Sequence, residues 1–415
     1  MKILRIIITV GLVVLMTACG QNANEPTAQI DFGDMFVKSD SLGYDGRLYD
    51  QLLFSVETEN GVYFMDNSEM IHFYDFDSGK SVLVCNKPEC RHDRWGLDTP
   101  EAERCNAHLG YTCIFHQGFV YDGSLYIITA DMEQRGRVIR SDLDRSNQEV
   151  IAEFETTWFG NFYVRENIVY FSGAMPVYET GEYGVTEFPK KTVFWLYGVD
   201  LRTGQVMELT ERRTEYNGEV SVISAVGDDL YLSVNYCNSF YDGTNWDEAD
   251  NQIELYDYDI TTGEMNRLNV EITAPAGGAF MIANGFAYLM ERESPDSVTD
   301  RIVAVDLGTG VRTTVTDNAY ALSFERGNGI FTYTYQKENG EFIYIYNTAT
   351  GEMVKHKAIE GFFAVDFLDK YVYGYDSVSP DGSLDSNHLA IVTKEAYYTG
   401  GESGGGVMII AGESK

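Results

Sequence analysis

Tyr197-Gly-Val-Asp-Leu-Arg-Thr-Gly204 returns with small changes as Tyr256-Asp-Tyr-Asp-Ile-Thr-Thr-Gly263, Val303-Ala-Val-Asp-Leu-Gly-Thr-Gly310 and Tyr344-Ile-Tyr-Asn-Thr-Ala-Thr-Gly351. A shorter copy is Tyr74-Asp-Phe-Asp-Ser-Gly79, and a degenerate one is Ser141-Asp-Leu-Asp-Arg-Ser-Asn147. Alternate apolar residues before the acid describe a strand with one buried face. The Asp or Asn side chain starts a turn by bonding the backbone, and Gly supplies the positive φ that ends it. Each copy is therefore the hairpin of a small sheet.

A second phrase introduces the strand before each turn. It reads Gly61-Val-Tyr-Phe, Gly123-Ser-Leu-Tyr-Ile, Asn167-Ile-Val-Tyr-Phe, Asp229-Leu-Tyr-Leu, Gly285-Phe-Ala-Tyr-Leu, Gly329-Ile-Phe-Thr-Tyr and Lys370-Tyr-Val-Tyr, which makes seven copies. The turn glycines Gly204, Gly263, Gly310 and Gly351 lie 59, 47 and 41 residues apart. The shortest spacing approaches the length of a four-stranded propeller blade, and the longer ones carry insertions. With no helical period between the strands, the pattern predicts an all-β chain closed radially, a β-propeller of seven blades over residues 46–415, with six blades as the alternative count. A pair of β-sandwiches or a β-solenoid is the competing architecture.

The long excursions 173–190, 235–251, 291–300 and 376–386 all separate the same two strands of their repeats, so a propeller places them on one face. They carry aromatic and acidic residues, among them Tyr183, Tyr241, Trp246 and Asp247. Aromatics stack on sugars or receive cations, and clustered carboxylates hold calcium. These loops are the expected ligand-binding surface.

The N-terminus predicts where this ring works. Met1-Lys-Ile-Leu-Arg5, an apolar run from Ile6 to Met16 and Thr17-Ala18-Cys19 make a signal peptide over 1–18. The run is shorter than the roughly 20 residues needed to span a bilayer. Leu15-Met16-Thr17-Ala18-Cys19 resembles the lipobox of bacterial lipoproteins, which implies lipidation of Cys19, with 19–45 as a polar tether. The expected place is outside the cytoplasm, anchored to the cell membrane through lipid.

Composition narrows the partners. There are 64 Asp+Glu against 30 Lys+Arg, a formal charge of −34. Nucleic acid is excluded, because phosphate binding is driven by cationic side chains displacing counterions. Anionic headgroups are disfavoured for the same reason, so the lipid must do the anchoring. With 29 Tyr, 23 Phe and 44% hydrophobic residues, material for a core is ample. The expected partner is a glycan or a surface protein, met by a monomer.

The densest chemistry lies in 85–113: Cys85, Cys90, His92, Cys105, His108 and Cys113. Three thiolates and one imidazole, such as Cys85, Cys90, His92 and Cys105, suit tetrahedral zinc, with His108 or Cys113 as substitutes. Two disulfides among the four cysteines are the other reading, which export permits. Either staples a long connection that has little core of its own.

The string Cys85-Asn-Lys-Pro-Glu-Cys90-Arg-His92-Asp, the later Cys105-Asn-Ala, the lipobox and the Tyr-rich repeats together resemble a group of uncharacterised surface lipoproteins of Gram-positive gut bacteria. Their domain of unknown function is similar to the propeller of low-density-lipoprotein receptors. The resemblance implies a fold and a location, and no activity.

Signs of catalysis are thin. Gly401-Glu-Ser403-Gly-Gly405 matches the nucleophile-elbow pattern but sits in a glycine-rich turn, without the strand and helix that motif requires. No Walker loop, dinucleotide fingerprint or zinc-protease string is present. A propeller hydrolase acting on extracellular glycans through paired carboxylates is the enzymatic alternative to a binding scaffold.

Overall fold

The computed structural model describes residues 47–49 and 54–411, apart from short stretches of which the longest are 179–190, 240–250 and 377–387. The predicted signal, Cys19 and nearly all of the tether lie outside the described residues, as do Tyr183, Tyr241, Trp246, Asp247 and Ser403. No described helix is long and apolar enough to cross a membrane.

The described strands form five antiparallel hydrogen-bonded sheets that divide into seven blades in chain order, with the first strand, Arg47–Tyr49, pairing with Trp158–Arg165 of blade 3. Blade 1 is Ser55–Glu57, Gly61–Met65, Ile71–Asp75 and Lys80–Leu83; blade 2 is Cys113–Tyr121, Ser124–Asp131, Arg135–Ser141 and Glu149–Glu155. Blade 3 is Trp158–Arg165, Ile168–Val177, Lys191–Asp200 and Val206–Glu208. The long strand Arg213–Val226 first edges blade 3 and then becomes the inner strand of blade 4, which adds Asp229–Cys237, Asn251–Asp259 and Met265–Arg267. Blade 5 is Ala276–Ala283, Phe286–Arg292, Asp300–Asp306 and the start of Arg312–Glu325. The rest of that strand opens blade 6, followed by Ile330–Thr334, Phe342–Asn347 and Glu352–Lys357. Blade 7 is Phe363–Phe367, Tyr371–Tyr375, Leu389–Thr393 and Met408–Ala411, interrupted by the short helix Lys394–Tyr398.

What makes these sheets a ring is the core. Seven of the eight apolar clusters among the described residues lie between one blade and the next: blades 1 and 2 share Val56, Ile71 and Leu125, for example, and blades 4 and 5 share Leu255 and Val303. The corresponding clusters join blades 2 to 3, 3 to 4, 5 to 6 and 6 to 7. The seventh joins the last blade to the first, packing Val62 and Phe64 against Tyr373, Leu389 and Ile391. A strand alternates its side chains between two faces. Both faces of each sheet therefore meet a neighbour, and second strands such as Gly61–Met65, Ser124–Asp131 and Ile330–Thr334 show long buried runs, whereas the outer strands Lys80–Leu83 and Glu352–Lys357 are largely exposed. The protein is a seven-bladed β-propeller.

Closure of the ring is non-covalent. The Ser55 hydroxyl donates to the Asp366 carboxylate at 3.1 Å, and the Lys370 N–H donates to the Glu57 carboxylate at 2.9 Å. Phe76 lies on Tyr371 with ring centroids 4.8 Å apart. Each contact spans about the whole ring in sequence and none in space.

The turns behave as their residues dictate. The Asp200, Asp259, Asp306 and Asn347 side chains each accept from backbone N–H groups two and three residues on. Gly204, at φ 72°, donates back to the Asp200 carbonyl at 2.8 Å. First and second strands are joined in several blades by two-residue turns with both φ positive, as at Asp122-Gly123, Glu166-Asn167 and Asn284-Gly285, the type that matches strand twist. These hairpins and the Asp-to-Gly turns share one face. Second strands end and third strands begin on the other, so the strand ends flanking 179–190, 240–250, 293–298 and 377–387 lie there.

Candidate metal centre

Leu83 ends the outer strand of blade 1, and the chain returns to an inner strand only at Cys113. The intervening connector has a small apolar cluster of its own, in which Cys105 and Ala107 are buried against Met70 of blade 1 with Leu83, Cys85, Cys90 and Trp95 packed on them, while its Val84 and Leu109 join the core between blades 1 and 2. Polar contacts shape the rest. Lys87 Nζ donates to the Arg104 carbonyl at 2.7 Å, which draws the two halves together. Trp95 Nε1 donates to the Cys105 and His108 carbonyls at 3.0 and 3.1 Å, and Arg104 covers the Trp95 ring at 4.7 Å. Gly110 is required under this ring, because a Cβ there would sit 2.8 Å from Trp95 carbons at a φ of +97°.

Inside the connector, Cys85, Cys90, His92 and Cys105 offer ligand atoms that all lie within 4.8 Å of one another. The cluster can hold a metal ion. Cys105 Sγ is 3.7 Å from His92 Nδ1. A tetrahedron built with Zn–S of about 2.3 Å and Zn–N of about 2.0–2.1 Å has edges of roughly 3.5–3.8 Å, so this pair is already near coordinating separation. Cys105 is buried, and Cys85 and Cys90 are half-buried. His92 adopts φ 57°, a left-handed conformation that costs a non-glycine residue roughly 1–2 kcal/mol.

The local turns favour thiolate. The N–H two residues beyond each cysteine points at its sulfur: Lys87 for Cys85, His92 for Cys90 at 3.4 Å and Ala107 for Cys105. Burial works to raise the Cys85 thiol, but the Lys87 and Asn106 N–H groups and the neighbouring thiols outweigh it and bring it below its ordinary value. Burial, with the Cys85 and Cys90 charges, pushes Cys105 up to about 12 despite the Ala107 N–H. Alone, the cluster ionises incompletely; a dication held by Cys85, Cys90, His92 and Cys105 would favour all three thiolates.

His108 is not one of the four. Its Nδ1 accepts from the Trp95 and Gly110 N–H groups at 3.2 and 3.1 Å, which places the proton on Nε2, 3.4 Å from the Glu69 carboxylate. Both ring nitrogens are occupied in holding the connector. Burial lowers the His108 pKa, against the pull of Glu69. Cys113 begins the inner strand of blade 2, and its side chain lies outside the described residues. Cys85, Cys90 and Cys105 carry free thiols, as does the distant Cys237.

One residue that sequence reading passed over reaches this site. Arg145, in the degenerate turn of blade 2, is only 1% exposed, and its Nε donates to the Asn106 carbonyl at 3.2 Å. Burial pulls its pKa down to about 10, opposed by the charge of Cys105. The available signal was that this turn alone departs from the repeat, carrying Arg at 145 in a series that otherwise ends on glycine.

No protein-family model matches the chain, and no curated protein does. Among solved structures it is similar to an oligogalacturonate lyase from Vibrio parahaemolyticus, at 13% identity and TM-score 0.47 over 89% of this chain and 87% of that one. It is also similar to an acylaminoacyl peptidase of Pyrococcus horikoshii, at 14% identity and TM-score 0.47, covering 83% of this chain and 51% of that one. TolB from Acinetobacter baumannii aligns at 14% identity and TM-score 0.33, covering 75% and 63%. The fold assignment stands on the seven-interface ring itself.

Proposed function

We propose that this chain is an exported bacterial lipoprotein whose propeller is a recognition scaffold at the cell surface, held to the membrane by lipid on Cys19. The observation that carries the recognition role is the asymmetry of the ring. One face is made of tight Asp-to-Gly turns and two-residue hairpins, whereas the described strands that flank the long second-to-third-strand connections end on the other. Loops on a rigid scaffold are where binding residues accumulate. Tyr183, Tyr241, Trp246 and Asp247 belong to two of those connections, and their aromatic and acidic character suits a glycan or a basic segment of a surface protein, with calcium as an aid to carboxylate-rich loops. At the Cys85, Cys90, His92 and Cys105 cluster, soft thiolates and one imidazole favour zinc, and a closed four-ligand set makes it structural.

The test has two arms. Expressed in a bacterial host, the wild-type chain takes up labelled palmitate and sediments with membranes, and Cys19→Ala does neither. The purified mature protein is screened against cell-wall glycans and surface proteins, with loops 179–190 and 240–250 replaced by tight turns as the control. Binding lost in the loop variant supports the reading. Turnover of a glycan replaces it with the hydrolase alternative, and binding indifferent to both loops overturns it.

A further inference from the structure

We propose that Cys85, Cys90, His92 and Cys105 form a closed zinc centre with one net negative charge, and that the buried guanidinium of Arg145 is its counter-charge. Metal binding in the blade 1 connector and docking of the blade 2 turn are then one event. The inference rests on the zinc reading above and adds the electrostatic partner that the site requires.

The argument starts from Arg145. Its hydrogen-bond acceptors are the Asn106 carbonyl at 3.2 Å, Ser141 Oγ at 3.5 Å and Gln148 Oε1 at 3.1 Å, all neutral. The Asn106 carbonyl that it bonds follows directly on Cys105, and Cys105 is the ionisable group whose charge opposes the effect of burial on the guanidinium. A guanidinium stays protonated at neutral pH, and a buried charge without an opposite one is costly by several kcal/mol. The chain also accepts φ 63° at this non-glycine residue to aim the side chain inward. An investment of this kind needs an anion.

Of the metal and disulfide readings, only the metal supplies it with all three sulfurs ionised. A divalent ion shared by three thiolates and a neutral imidazole keeps one negative charge, spread over sulfurs that include Cys105. A disulfide between any two of the three sulfurs removes charge instead and leaves Arg145 uncompensated. Outer hydrogen bonds and charges of this kind tune a metal site without touching the ion. The seam is reinforced from both sides. Gln148 Nε2 donates to the same Asn106 carbonyl at 3.4 Å, and the Tyr63 hydroxyl of blade 1 donates to the Leu143 carbonyl in the Arg145 turn at 2.8 Å. The zinc centre thus sutures the blade 1 connector, whose own apolar cluster is small, to the blade 2 turn.

The experiment measures metal content, zinc affinity by chelator competition and thermal stability of the full chain in zinc-loaded and in reduced, metal-stripped form. Wild type, Cys90→Ser, Arg145→Met and Arg145→Lys are compared. Wild type carries one zinc per chain, and Cys90→Ser loses it. Arg145→Met weakens zinc by about tenfold or more. It keeps the thiolate charge-transfer band of the cobalt-substituted protein, because no ligand has changed. Its melting temperature falls in the zinc form, yet equals or exceeds wild type in the stripped form, where an unpaired buried charge has been removed. Arg145→Lys, which keeps the charge, stays closer to wild-type affinity and serves if the Met variant does not fold. Unchanged zinc affinity in Arg145→Met, or equal destabilisation of both forms, overturns the counter-charge while leaving the zinc. Wild-type protein with no metal and a disulfide among Cys85, Cys90 and Cys105 overturns the zinc reading itself.

Discussion

Ring closure is open to a direct energetic test at Phe76 and Tyr371. These residues belong to blades 1 and 7, lie nearly 300 positions apart in the chain, and bring their rings to 4.8 Å at an interplanar angle of 31°. Both are half-buried on the cluster that joins the first blade to the last. Truncating either to Ala removes part of an aromatic side chain from that cluster and costs about 1–3 kcal/mol by the area it buries. The informative quantity is the coupling. Tilted aromatic pairs contribute about 0.5–1.5 kcal/mol beyond burial, so the double variant Phe76→Ala/Tyr371→Ala is less destabilised than the sum of the singles by that amount. Equilibrium urea unfolding measures it, with an unchanged m-value in all four proteins showing that the same surface is exposed on unfolding. Phe76→Ala with Phe286→Ala, a blade 5 residue in a different cluster, is the control and adds within about 0.5 kcal/mol. A Phe76–Tyr371 coupling no larger than that control would refute a closed ring, because in an open arc of blades these two residues never meet.

Two turn glycines with the same backbone angle separate conformational from steric cost. Gly204 and Gly310 both have φ +72°, but a Cβ on Gly204 would stand 2.0 Å from the Ile151 carbonyl oxygen, whereas one on Gly310 meets nothing within 4 Å. Gly310→Ala costs about 1–2 kcal/mol for the left-handed conformation alone. Gly204→Ala costs more and shifts the blade 2 edge, and equal urea midpoints for the two variants would contradict the packing described. The acid limb of stability has a contribution from His116, whose burial lowers its pKa to about 4. The unfolded chain, with histidine near 6.5, binds the proton first. Stability from the neutral ring is therefore complete above about pH 6.5 and is lost as pH falls toward 4. His116→Phe flattens the pH profile of the melting temperature over that window, and an unaltered profile would show that His116 is not the group responsible.

Much of this protein is legible without coordinates, because its information is local and repeated. The Asp-to-Gly turns need nothing beyond their own residues: a side chain that accepts from the next N–H groups and a glycine that reaches positive φ. Seven copies of the strand phrase state the number of blades, since each copy fills one sheet position. The cysteines and His92 are close enough in the chain for metal-ligand spacing to be visible.

What the sequence left undecided depends on neighbours far apart in the chain. It put His92 first and kept His108 as a substitute, without the reason that separates them: Trp95 and Gly110 take His108 Nδ1, and only the folded connector brings them there. Nor could it show that a turn in blade 2 delivers a buried cation to a cluster in blade 1, because Arg145 reads as an ordinary solvated turn residue until the Asn106 carbonyl is seen against it. Local rules determine hairpins, and hairpins repeat. Which blades touch, which faces are buried and where an isolated charge finds its opposite are settled only when the ring closes, since burial and electrostatic compensation belong to the whole assembly of sheets and to no single segment of the chain.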